Sequence, residues 1–382
     1  MLVGIVDGGS LAGASKTRGV SASHFDRGLV LGAFLPPHVG HHALVHHVQA
    51  RCAQVVIAVT DRPGQLPVTH DRASWMQAVH LDLDVVVLPD TCGWHGSAPC
   101  ADECAAAWAE QVALLPAPFD LLVTADPFGS VLAERLGATL LDPSTLAPAD
   151  LGLDPIHGVT VPADGDVRAD LAGHWYRLHP VVRAGLHRRV ALIGSESTGT
   201  TTLARDLAER LRAPLTYEAG RMMSWSLAAR AGGIEKIEWT EHDFFRILEE
   251  QRRVEADATA RAVDLPIGPL GPWLVCDTDA LATVVWWERY LDVPPDPSMK
   301  FSDARLADAY VITSPHDVSF LQDGVRDGEH VRFAMHARFV ELAAASGRPY
   351  LEVSGTEAQR LELVVEWLAG VEAEQPRFAT GS

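Results

Sequence analysis

Short apolar, β-branched runs alternate with helix-patterned stretches along most of this 382-residue chain, and that alternation restricts the fold more than any single motif. LVLGAF (29–34), QVVIAVT (54–60), VVVLP (85–89), FDLLVTAD (119–126) and ATLLD (138–142) read as strands. Between them ALVHHVQARC, RASWMQAVH, CAAAWAEQVALL and SVLAERLG read as helices. Strands and helices in strict turn imply parallel βαβ units, with helices covering both faces of a sheet. The pattern lapses in PSTLAPADLGLDPIHGVTVPADGD (143–166), rich in proline, glycine and aspartate, and resumes at RVALIG. Strands PWLVCDTD (272–279), AYVITSP (309–315) and PYLEVSG follow. They alternate with helical stretches at 202–212, 241–263, 280–291 and 333–345, and with EAQRLELVVEWLAG.

The length suits two cores of roughly 150–200 residues each. The organisation predicted is a flexible leader (1–27), an α/β domain (28–170), a linker (171–187), a second α/β domain (188–372) and a flexible tail (373–382). Fifty acidic residues against 31 basic ones leave a net charge of −19, the wrong sign for a surface that wraps nucleic acid. No apolar run approaches the ~20 residues of a membrane span. The N-terminus lacks the basic start and apolar stretch of a secretion signal, and five cysteines do not form a disulfide framework in a chain this long. A cytoplasmic protein without nucleic-acid or membrane partners is expected.

Residues 32–41 spell G-x-F-x-P-x-H-x-G-H between a strand and a helix. Open α/β sheets bind ligands at such strand ends. Gly32 and Gly40 let backbone approach a ligand closely, and Phe34 lies in the same turn. His38 and His41, three apart at a helix start, can both face one phosphate and stabilise charge building on it.

The second phosphate-like motif is GSESTGTT (194–201), which follows a strand and opens a helix. A P-loop reads G-x-x-x-x-G-K-[ST], and here Gly194 and Gly199 are correctly spaced around Glu196, Ser197 and Thr198. Thr201 supplies the hydroxyl that helps hold Mg²⁺, and Thr202 continues the helix. Thr200 stands where lysine belongs. Three readings follow: a working site whose charge comes from another residue, a domain that binds nucleotide without turnover, or a chance turn of small residues. Arg221, Arg326 and Arg332 are the candidate substitutes for the missing cation. Asp277 and Asp279 end an apolar strand, a place for Mg²⁺-bound water or for orienting a hydroxyl, and Glu218 can accept a proton from a substrate hydroxyl or hold a sugar.

The complete HxGH pattern resembles the HxGH nucleotidyltransferase superfamily, which moves an adenylyl or cytidylyl group from a nucleoside triphosphate. An HxGH domain followed by a P-loop domain resembles the NadR-type bifunctional proteins, which join nicotinamide mononucleotide adenylyltransferase to ribosylnicotinamide kinase. The likeness runs over nearly the whole chain after residue 28. DRASWM (71–76) resembles that family's Arg-x-x-Trp-Leu helix, and Gly93-Trp94 its nicotinamide-side loop. TADPFGSVLAERLGA (124–138) resembles a further family segment, and YEAGR (217–221), CDTD (276–279) and DGVR (323–326) resemble its kinase motifs. The resemblance implies a Rossmann-like nucleotidyltransferase domain, then a P-loop kinase-like domain. It implies ATP, Mg²⁺, nicotinamide mononucleotide and nicotinamide riboside as ligands, NAD as product, and a homo-oligomer. His38, His41, Arg168, Glu218 and Asp277 would be catalytic, with Thr201 and Asp277 at Mg²⁺. Arg72, Trp75, Trp94, Arg221 and Asp279 would bind substrate, and Arg326 and Arg332 would lie on a lid over the phosphates. Some relatives carry an N-terminal DNA-binding helix-turn-helix; too few residues precede HxGH here, so the repressor role is not implied.

Departures from the family pattern matter equally. Ala33 stands where lysine is frequent. The family's I-S-x-T-x-I-R motif falls on PADGDVR (162–168), where Ala163 and Gly165 replace two hydroxyl donors and Arg168 survives. Losing a neutral donor costs on the order of 1 kcal/mol each. These changes keep open a relative active in one domain only or on another nucleotide-like substrate, and a sensor that binds NAD or ATP without turnover. Cys92, His95, Cys100 and Cys104 lack the spacing of a common zinc module, so an irregular loop with reduced thiols is expected. Trp108, Trp286 and Trp287 are expected in cores, and 241–257 as a solvated helix face with i,i+4 pairs.

Overall fold

The structure is a computed structural model that describes residues 25–92, 101–116, 118–153, 163–295, 306–316, 318–320 and 330–379. In the first half, β1 (Phe25–Gly32), α1 (Val39–Gln49), β2 (Cys52–Asp61), α2 (Thr69–Val79) and β3 (Asp84–Pro89) come first. They are followed by α3 (Ala101–Val112), β4 (Leu121–Val123), α4 (Gly129–Leu136) and β5 (Thr139–Leu141). The strands form one parallel sheet in the order β3-β2-β1-β4-β5. Helices on both faces bury the side chains of β1 whichever way they point: Leu29 and Leu31 pack with Leu122 and Trp108, and Val30 with Val45 and Val123. That is why the strand reads as a continuous apolar run rather than an alternating one.

The expected linker is built from short helices, α5 (Asp164–Ala169), α6 (Leu171–His174) and α7 (Pro180–Leu186). Pro180 sits at the first helical position, where its missing N–H costs nothing, and the His179 ring accepts from Val181 N–H. These helices place Trp175, Leu178, Val182 and Leu186 against Trp75 of α2 on one side and Ile267 on the other. Trp175 Nε1 donates to Leu265 O at 3.0 Å, so the connection is also tied by a polar contact to the second half. Truncating a tryptophan in such a cluster costs about 3–5 kcal/mol.

The second half runs β6 (Arg188–Gly194), α8 (Thr200–Leu211), β7 (Leu215–Thr216), α9 (Ala219–Ala231) and α10 (Glu241–Ala262). It continues with β8 (Trp273–Asp277), α11 (Ala280–Leu291), β9 (Ala309–Thr313), α12 (Arg332–Ala345), β10 (Tyr350–Val353) and α13 (Glu357–Glu374). Its strands are again parallel, in the order β10-β9-β6-β8-β7. The molecule is thus α/β, with two parallel-sheet domains. In each sheet the first strand of the domain lies centrally, with crossovers leaving to both sides. A crevice therefore opens beyond the carboxyl ends of β1 and β6, where the two Gly-containing motifs sit.

Several expectations change. The chain beyond residue 373 is not free as far as Ala379. Arg377 donates to Leu186 O at 2.7 Å and lies 5.3 Å from the Trp273 ring, and Leu66 N–H donates to Ala379 O at 2.8 Å. Cys92 and Cys104 are joined as a disulfide rather than held as thiols. Cys92, just beyond β3, and Cys104, in the first turn of α3, have Cα atoms 5.1 Å apart, a proximity that spacing alone does not show. His95 and Cys100 lie outside the described residues. Among the described residues no helix is long and apolar enough to cross a membrane.

Candidate functional site

The first crevice is built around the start of α1. Phe34 takes a left-handed φ of 52°, rare for a bulky residue, and turns the chain out of β1 toward the helix. His38 is the N-cap: its Nδ1 accepts from Gly40 N–H at 3.1 Å, while His41 Nδ1 accepts from His38 N–H at 3.3 Å. Each ring, when neutral, therefore carries its proton on Nε2. The rings stack with centroids 3.9 Å apart, and both Nε2 atoms face Asp164 Oδ1, at 3.1 Å from His38 and 3.2 Å from His41. Burial, then the His38 charge, lowers His41 to about 3 against the opposing pull of Asp164. At neutral pH His41 is uncharged, so its contact with Asp164 is a hydrogen bond to a carboxylate rather than an ion pair. Burial pushes the Asp164 carboxyl up, but His41, His38 and the Leu35 N–H outweigh it and hold it below the usual range. Arg168, one helical turn further along α5, donates to Leu35 O at 3.1 Å and so braces the same loop.

The second crevice is the turn from β6 into α8. Ser197 and Gly199 both have positive φ, 60° and 83°, and the curled backbone of the turn between Gly194 and α8 forms the cradle. Gly194 is required sterically, since a Cβ there would lie 2.2 Å from Thr313 Oγ1. Thr200, the residue in lysine's place, turns its hydroxyl inward: Oγ1 lies 2.8 Å from Thr313 Oγ1 and 3.2 Å from Thr198 Oγ1. Thr198 in turn bonds Ser195 O at 2.7 Å. The buried Arg360 of α13 donates to Thr198 O at 2.6 Å, holding the loop from behind.

Asp277 ends β8 facing this loop. Burial pushes its carboxyl up, opposed by a hydrogen bond from Thr201 and by the charges of Arg221 and Arg205. Burial likewise raises Glu218, against its partner Arg221 at 3.2 Å and with help from Asp277 and Glu196. Thr201 and Asp277 supply paired hard oxygen donors beside the cradle, a set that suits Mg²⁺. The cavity that joins the loop to Glu218, Arg221 and Asp277 is walled by Trp239, Trp286 and Tyr290. Trp239 and Tyr290 stack with centroids 4.9 Å apart.

The residues expected at the sites divide clearly. His38, His41 and Arg168 converge at the first crevice, which Gly32, Phe34 and Gly40 shape. Gly194 through Thr202, Glu218, Arg221 and Asp277 line the second cavity. Four residues expected at a ligand are turned into the protein instead. Arg72 is fully buried and spends its donors on Ala33 O, Pro67 O, Gln65 and Thr69, which stiffens the HxGH loop. Trp75 packs in the inter-domain cluster, so close to Gly185 that a Cβ there would come within 2.5 Å of its ring. Asp279 follows Thr278, whose φ of 77° re-aims the chain inward. There Asp279 caps α11 and accepts from Tyr310 Oη at 2.7 Å. Arg332 donates to Val318 O and Pro315 O, anchoring the segment before α12 rather than covering the phosphate loop. Trp94 and Arg326 lie outside the described residues. Trp287 is core as expected, whereas Trp286 lines the cavity.

Asp164 and the aromatic wall escaped the sequence reading. Asp164 is one of many aspartates in a Pro/Gly-rich stretch, and nothing in local pattern marks it. Trp286 differs from Trp287 only by its face of α11.

Residues 189–360 match a family model described as an AAA domain. No curated protein shows a sequence match to the chain. A solved NadR protein in complex with NAD and AMP-PNP superposes with a TM-score of 0.59 at 19% identity, over 91% of this chain and 96% of that one. A NadR protein in complex with NR gives a TM-score of 0.59 at 18% identity, over 94% and 98%. The chain therefore shares the fold of these NadR structures along nearly its whole length.

Proposed function

We propose that this chain makes NAD: the first domain joins ATP to nicotinamide mononucleotide, releasing pyrophosphate, and the second phosphorylates nicotinamide riboside. The observation that carries the reading is the pairing of two phosphate-directed constellations, each at the crevice of its own parallel sheet. One has two imidazole N–H groups aimed at a single anion position; the other is a P-loop with an adjoining Thr201–Asp277 pair.

In the first reaction a mononucleotide phosphate oxygen attacks the α-phosphorus of ATP, and the bond to the bridging oxygen of pyrophosphate breaks. His38 and His41 donate Nε2–H to the α-phosphate oxygens as charge grows there, while Arg168 holds the loop in place. In the second, Glu218 accepts the proton of the riboside 5′-hydroxyl as it attacks the γ-phosphorus; its raised pKa suits that task. Thr201 and Asp277 would hold Mg²⁺, which neutralises phosphate charge when bound. Arg221 supplies the positive charge that Thr200 lacks, and the Trp239–Tyr290 wall takes a planar ring.

Purified protein given ATP, Mg²⁺ and nicotinamide mononucleotide should form NAD, and His38→Ala should abolish it. Tight binding of both substrates without turnover of either would replace the enzyme reading with that of a nucleotide sensor. The inward-turned hydroxyl of Thr200 favours a second reading, in which only the first domain turns over. Its mark would be NAD formation from the mononucleotide and none from the riboside.

A further inference from the structure

The two Nε2–H groups at the start of α1 point to one place, and a side chain of the protein already occupies it. Asp164 Oδ1 accepts from both imidazoles at 3.1 and 3.2 Å, and Oδ2 accepts from Leu35 N–H at 3.2 Å. Two imidazole donors and a backbone donor around one anion are the grip a phosphate would need here. Two histidines and a carboxylate also have the outline of a metal site. The backbone argues against that: each Nδ1 accepts a peptide N–H, so each Nε2 carries a proton and has no lone pair to offer a cation.

We propose that Asp164 is a resident competitor for the phosphate seat of the first domain, and that a substrate phosphate enters only by displacing its carboxylate. Asp164 begins α5, and Arg168 near the end of that helix is tied to Leu35 O. The same short helix is thus latched to the HxGH loop at both ends, once through the anion the seat prefers. A phosphate cannot share the seat, since both N–H donors are used and a second negative charge would sit in contact with the first. The seat therefore rejects weakly held anions and admits a ligand that makes enough other contacts to turn the carboxylate out. The inference rests on the first domain binding phosphate, and not on its transferring an adenylyl group.

The test uses the full-length protein with ¹⁵N-labelled histidine rings, titrated with inorganic pyrophosphate. The signals of His38 and His41 are assigned from His38→Gln and His41→Gln. Because the readout comes from those two rings, occupancy of the P-loop does not enter it. Asp164→Asn keeps the shape and an acceptor oxygen but removes the charge, and Asp164→Ala empties the seat. Both should lower the pyrophosphate midpoint at least about tenfold, the weight of one charge-assisted contact. An unchanged midpoint in a folded Asp164→Asn protein overturns the proposal, and that variant decides if Asp164→Ala fails to fold. NAD formation assayed on the same proteins separates the two readings. Tighter pyrophosphate with no NAD sinks adenylyl transfer alone, and NAD with unchanged midpoints sinks the competitor alone.

Discussion

Acid should loosen the first domain through a nest of histidines that must stay neutral. His42 on α1 and His80 just beyond α2 are buried, with His42 Nδ1 3.0 Å from His80 Nε2. The His46 ring lies 5.3 Å from His80, and the His179 ring 5.9 Å from His42. Burial, then the charges of His80 and its neighbours, lowers His42 to about 3; burial, then His46, lowers His80 to about 4. Both values are below the ordinary 6.5, so above that pH neither folded nor unfolded chain binds these protons and stability is unaffected. As pH falls below it, the unfolded chain takes up protons that the folded one refuses, and stability drops until the folded values are reached. At pH 5 the loss is about 2 kcal/mol for each ring, or about 4 kcal/mol for the pair. Urea unfolding followed by tryptophan fluorescence at pH 7 and pH 5 measures it, with His42→Gln/His80→Gln as the non-titrating comparison. His41, also lowered to about 3, is present in both proteins and cancels. The wild type should lose about 4 kcal/mol more than the double variant over this interval. Equal losses would refute the neutral nest.

The P-loop domain makes three further predictions. Gly194→Ala drives a methyl group into Thr313 and Thr198, so Mg²⁺-ATP binding to the second domain should weaken at least about tenfold, with about 1–3 kcal/mol lost from stability; calorimetric titration with unchanged affinity would count against the cradle. Glu218→Gln should slow riboside phosphorylation by roughly 10²–10⁴-fold with little change in KM, and a full rate would remove Glu218 as the base. Thr200→Lys breaks the hydroxyl contacts with Thr198 and Thr313 and adds a charge that, on the proposal, Arg221 supplies, so kinase turnover should rise less than about tenfold. A gain of a hundredfold or more would show that the native loop is starved of charge.

The parallel sheets were legible because strands covered on both faces spell unbroken apolar runs, as Val190–Ile193 does. What escaped had no such mark. β7 has only two residues, and α9 buries a single residue, Ala219, so it carries no apolar stripe. Spacing located both loops, one by its glycines at Gly194 and Gly199 and the other by the histidine pair His38 and His41 at a helix start. It could not assign neighbouring charged side chains. Asp277 and Asp279 are two apart on paper, yet the left-handed Thr278 sends one to the crevice and the other into the core. Arg72 and Trp75 look like ligand contacts in sequence and serve loop bracing and domain packing in three dimensions. Asp164 is the converse case, set against His38 and His41 by a helix that no periodicity announced.

The most direct measurement is a time course with nicotinamide riboside as the only pyridine substrate, in the presence of ATP and Mg²⁺, read by chromatography of the pyridine products. Nicotinamide mononucleotide should appear first and NAD after it in the wild type, and the mononucleotide alone should accumulate in His38→Ala. Bound substrates with neither product formed would contradict the assignment of two coupled transfer sites.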